Sequence, residues 1–117
     1  MCFAAPVYGV HGRPERHPIY AWKVLYRLRG AWYSPIFPHH WVNNELHTFA
    51  PWSSSDTGIY AFAHKRDAER WREDKKVAES EGAEIVVRVA LWGTIIEHRG
   101  DTHEPGYRAQ HARIVEG

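Results

Sequence analysis

Residues 84–98 read EIVVRVALWGTIIEH, the strongest β pattern in the chain. Ile85, Val87, Val89 and Leu91 recur at period two on one face, while Val86, Ala90 and Trp92 make the other face apolar as well. A strand with two apolar faces is covered on both sides or changes neighbours along its length. Gly93 sits where a bulge or bend would permit that change. After it, Arg99–Gly106 holds Gly100, Asp101, Pro105 and Gly106 and reads as a turn. Tyr107–Val115 (YRAQHARIV) is then a last strand, antiparallel to its predecessor.

Working back from this strand, residues 65–81 predict a helix, with charges of alternating sign and Gly82 as its stop. Its apolar stripe is narrow (Ala68, Trp71, Ala78), so it should lie on a sheet surface, anchored by Trp71. Gly58–Phe62 (GIYAF) is a short apolar strand. Tyr20–Leu28 (YAWKVLYRL) alternates, and Arg29-Gly30 turns it into Ala31–Ile36 as a β-hairpin. Pro35, Pro38 and Pro51, with Asn43-Asn44 and Ser53–Ser55, make residues 35–57 a long loop, a length that is often functional. Residues 1–18 contain three Pro and two Gly and read as an irregular arm with at most one short extended piece. Together these elements predict one α+β domain over residues 1–117. It would have a mixed or mostly antiparallel sheet of about five strands, one main helix and a long aromatic loop. The expected apolar contacts are Trp22, Tyr26, Trp71, Val87, Val89 and Leu91.

The 117 residues carry fifteen Lys and Arg against fourteen Asp and Glu, a balance that gives no bulk attraction for nucleic acid or an anionic membrane. No stretch reaches the roughly 18 apolar residues of a membrane span. The single cysteine, Cys2, excludes an internal disulfide framework. With no charged-then-apolar leader at the start, these features lead us to expect a cytoplasmic protein.

Chemistry-bearing residues are unevenly spread. Thirteen of the sixteen aromatics lie in residues 1–62, and no Lys or Arg occurs from Gly30 to His64. A nucleic-acid stacking platform would interleave aromatics with cations, so this stretch argues against one. The histidines (His39, His40 and His47, or His98, His103 and His111) lack the close paired spacing of zinc ligands, and no metal or cofactor is expected. The segment Trp32–Trp52 reads instead as an aromatic and His-rich recognition surface made of Trp32, Tyr33, Trp41, His47 and Trp52. Arg27 and Tyr60 are expected nearby, since aromatic anchors bury large areas with few rotatable bonds. Arg108 is expected to face Glu97 across the last hairpin.

Two resemblances add to this reading. The phrases GIYAF, LWGTIIEH and GYRAQHARI look like those of small uncharacterised bacterial and phage proteins, a likeness that implies a shared fold and no chemistry. The order of elements also resembles the ADP-ribosyltransferase-like fold: an Arg-bearing strand (LYRLRG), PWSSSDTG leading into GIYAF and a helix, then a strand with a late acid. That likeness implies an NAD or ADP-ribose cleft in which Arg27 holds phosphate or ribose, Ser54, Ser55 or Tyr60 supplies the second motif, and Glu97 the last. Ile95 stands where that family carries a Glu or Gln two residues before its glutamate. The expected function is therefore a non-catalytic interaction or small-ligand-binding module, using Arg27, Tyr60, Glu97 and the aromatic segment. Its partner would be a protein or a nucleotide-like ligand. A protein of ADP-ribosyltransferase type and a single-stranded nucleic-acid binder are the rival readings.

Overall fold

A computed structural model describes residues 7–34, 40–48, 58–74, 84–99 and 104–116. Its organising element is β7 (Glu84–His98). One edge of β7 pairs with β8 (Gly106–Glu116). The other edge is shared. From Glu84 to Leu91 it pairs with β2 (Ile19–Leu28), and from Gly93 to His98 with β1 (Val7–Arg13). The exchange of partners falls at Gly93, where the register with β8 also slips between Trp92 and Ile95. Gly93 has φ +82°, and a Cβ there would lie 2.7 Å from Gln110 Oε1 and from His111 Cδ2. The bend therefore needs glycine for both conformation and space.

Two tight turns build the rest of the sheet. Arg29 and Gly30 both have positive φ (52° and 82°) and close the hairpin of β2 with β3 (Ala31–Tyr33), as two-residue primed turns do. Asn43 and Asn44 repeat the device (φ 52° and 64°) between β4 (His40–Trp41) and β5 (Glu45–His47), with Val42 bridged to Glu45. Asparagine tolerates this backbone better than most side chains. β3 pairs with β4, and β5 pairs with β8 opposite residues 111–113. The circuit β2–β3–β4–β5–β8–β7 thus returns to β2. β6 (Ile59–Phe62) lies against the start of β8 and touches β2 at Trp22. The result is a small antiparallel β-barrel.

This corrects the α+β expectation. The molecule is mostly strand, and among the described residues the one helix, α1 (Lys65–Asp74), is an appendage on the outside of the barrel. Two strands escaped the sequence reading, and a third was allowed only as a short extended piece. β1 lies in the supposed arm, and β4 and β5 lie in the supposed loop, each too short or too rich in Gly and Asn to show alternation. The expected helix to residue 81 runs past Asp74 into residues outside those described.

The interior is filled by one face of each long strand. Ala21 and Leu25 of β2 meet Val87, Val89, Leu91 and Ile95 of β7, with Ala61, Ala109 and Ala112 opposite. The many alanines suit a barrel too narrow for large side chains on every strand. Trp41 plugs the interior at 3% exposure, its Nε1 donating to Ser34 Oγ at 3.1 Å. On the outer face, Val24, Tyr60 and Phe62 pack under Ala68 of α1, with Trp22, Trp71 and Val86 at the margin. Both apolar faces of β7 are thereby used.

Lys23 lies between Ala21 and Leu25 on the inward face and is 9% exposed. Its Nζ donates to the Tyr60 carbonyl at 2.6 Å. Burial lowers its pKa from 10.5 to about 8, because one carbonyl replaces little of the lost hydration.

Candidate functional site

The end of β7 beyond the bend is polar. Glu97, His98 and Arg99 face the start of β8 at Pro105, Gly106 and Tyr107, and the β6–α1 corner (Ala63, His64) closes the third side. The Ala63 N–H donates to the Pro105 carbonyl at 3.1 Å and ties that corner to β8. These residues line a cleft of about 380 Å³, within the range of small-molecule sites, roughly 300–1,000 Å³.

Glu97 anchors the cleft from directly opposite Tyr107. Its side chain is 13% exposed and bridges an imidazole and a guanidinium. Oε1 lies 2.9 Å from His11 Nε2 on β1, and Oε2 accepts from Arg99 Nε at 2.6 Å. Burial alone would raise the Glu97 pKa, but the hydrogen bonds and charges of His11 and Arg99 outweigh it and hold the carboxyl below its ordinary value. Tyr107 shifts the other way. Burial first, and then the Glu97 charge, push its phenol up and keep the proton on. On the opposite face of the same hairpin, Arg108 Nε donates to His98 Nε2 at 2.9 Å, and both residues are buried. Arginine only donates, so that nitrogen is the acceptor and the His98 ring proton sits on Nδ1. Arg108 therefore pairs with His98, and the expected Glu97–Arg108 contact is replaced by His11 and Arg99.

A second polar group sits outside the bend. His47 Nδ1 and His111 Nδ1 are 2.7 Å apart, so one donates and the other accepts. His111 stacks on Trp92 at 22°, and Arg113 lies over the same indole while contacting Glu15 at 2.7 Å. Burial, and then His47, lower the pKa of His111. The assembly holds β5 against β8, and its Glu15 and Arg113 line, with Pro14 and Arg16, a wide-open depression of about 420 Å³.

The residues expected to form one recognition surface are dispersed. Trp41 is interior, and Trp32 packs against the core with the exposed Arg27 guanidinium 5.5 Å above its ring. Tyr33 is half-buried, stacked between Tyr26 and His40. His47 belongs to the Trp92 group, and Tyr60 is covered by α1. Trp52, with Ser54 and Ser55, lies outside the described residues. Arg27 stands near the β7 end marked by the Tyr26–Glu84 pair, and Glu97 stands at the other end. Arg27, Tyr60 and Glu97 accordingly do not line one cleft.

Among the described residues, Glu97 alone of the expected site residues lines the cleft; His64, Arg99 and Tyr107, and His11 against Glu97, were missed. A signal for two of them was present: EHR ends one strand and GYR opens the next, which places Glu97 opposite Tyr107. No local signal pointed to His11, 86 residues away from its partner. Among the described residues, no group of three or more His, Cys, Asp or Glu is placed to hold a metal. Compared with known proteins, the chain matches no family model, no curated protein and no solved structure. The resemblances above therefore rest on their own phrases and element order.

Proposed function

We propose that this protein is a small-ligand-binding domain without catalytic activity, and that its site is the cleft at the end of β7. The observation that carries this is Glu97, a largely buried carboxylate held by His11 and Arg99 at a concave polar mouth. Ordering an acid, an imidazole and a guanidinium from separate parts of the chain costs side-chain entropy, and an exposed ion-pair network returns little stability for it. Preorganised polar groups in a cleft are what ligand recognition uses.

A thermal-shift panel of NAD, ADP-ribose, mononucleotides, sugar phosphates and amino acids tests the proposal. A ligand present at 100 times its Kd stabilises the native state by about 2.7 kcal/mol, which is readily measured as a rise in Tm. At least one compound should raise the Tm of the wild type, and Glu97→Gln should change the size of the rise. A flat panel contradicts the reading. A rise that is unchanged by Glu97→Gln and is lost in Arg27→Ala would move the site to the other end of the barrel.

A further inference from the structure

The chemistry of the cleft is one-sided. Each oxygen of Glu97, its lining carboxylate, already takes a charge-assisted contact, one with His11 and one with Arg99. His98 also lines the cleft, buried and held by Arg108, and the remaining polar side chains can donate: the Arg99 guanidinium, 55% exposed, the exposed His64 ring and the half-buried Tyr107 hydroxyl. Among the described residues, the His64 ring and the Tyr107 hydroxyl take no hydrogen bond. Arg99 is held through Nε by the Glu97 carboxylate, which orients the plane of its fork. An arginine oriented in this way suits bidentate recognition of a planar or tetrahedral anion.

We infer that the cleft takes a ligand bearing a small anionic group, a carboxylate or a phosphate, with Arg99 as its principal cation and His64 and Tyr107 as flanking donors. This rests on the cleft being the ligand site. Glu97 is then a positioning residue, which orients Arg99 and does not touch the anion. Tyr107 contributes as the neutral phenol, because burial keeps it protonated through the physiological range.

The test is isothermal titration of the whole chain at low ionic strength with inorganic phosphate, acetate, adenosine and choline. Phosphate or acetate should bind, and Arg99→Gln should weaken binding by about tenfold or more, the scale of a lost charged hydrogen bond. Arg99→Lys should recover part of it. Arg70→Gln, on the exposed side of α1, should leave binding unchanged. Arg99 is more than half exposed, so thermal melts of its variants should match the wild type and separate binding from folding. Anion binding that is indifferent to Arg99→Gln overturns the inference. Binding of choline or adenosine that is lost in Glu97→Gln, with both anions silent, overturns the anion assignment while keeping the cleft as the site. Silence of all four probes overturns the anion inference, and the thermal panel then decides the fate of the cleft itself.

Discussion

The two ends of β7 are built from different chemistry. From Glu84 to Leu91 the strand lies in the aromatic half of the molecule, beside β2 and the β3–β4 edge, where Trp32, Trp41, Tyr26 and Tyr33 fill, plug or stack. Beyond Gly93 it runs beside β1 and the mouth of β8, where Glu97, Arg99, His11 and Tyr107 meet. The aromatic end encloses the core. The polar end leaves a cleft open to solvent and lines it with preorganised charge. Aromatic richness in this small barrel thus serves to close a narrow interior.

The largest expected effect lies at the aromatic end. Trp41→Ala removes a buried indole and leaves Ser34 without its donor, which should cost about 3–5 kcal/mol in urea unfolding. At a temperature where the variant is folded, cleft binding should persist. Loss of binding in a folded Trp41→Ala protein would break the division between the ends.

Lys23 comes next. Its folded pKa of about 8 lies below the ordinary 10.5, so between these values the unfolded chain binds more protons and stability rises with pH. Below pH 8 both states are charged and the cost of burial is present in full. Compared with Lys23→Met, the wild type should gain about 3 kcal/mol between pH 8 and 10.5. Parallel stability curves for the two proteins would show that the amine is solvated in the folded state.

Gly93→Ala tests the boundary itself. A side chain at φ +82° that also meets Gln110 and His111 should cost about 1–3 kcal/mol, with unfolding measured by circular dichroism. Amide exchange should accelerate in β1 and at the Trp92–Ile95 step more than in the β2–β3 hairpin. The smallest effect belongs to the polar end. The depressed Glu97 pKa contributes stability above its ordinary value of 4.5 that is lost as pH falls through the lower folded value. With Arg99 more than half exposed, the contribution is at most about 1 kcal/mol. Glu97→Gln should therefore flatten the acid limb of the stability curve only slightly, while altering ligand binding. A large loss of stability instead would make the network structural.

How much of this was legible in the sequence follows the same division. The Arg29-Gly30 turn, the Gly93 bend and the antiparallel β7–β8 pair could be read, because glycine positions and period-two alternation are local. Barrel closure could not, because it depends on β4 and β5, which are two and three residues long, and on the pairing of β5 with the distant β8. Asn43-Asn44 carried a hairpin signal that the surrounding prolines disguised as loop. In the cleft, Glu97 was legible as a late acid on a strong strand. His11 was not, since only the exchange of partners at Gly93 brings β1 alongside.

The most direct test of the account is an amide NMR titration of the intact protein with inorganic phosphate and, separately, with acetate. The account predicts saturable shifts concentrated at Ala63, His64, Arg99, Gly106 and Tyr107, with Arg27–Tyr33 unmoved. Shifts centred on Arg27 and the β2–β3 hairpin, or none with either phosphate or acetate at millimolar concentration, would contradict the claim that the polar end of β7 is an anion-binding site.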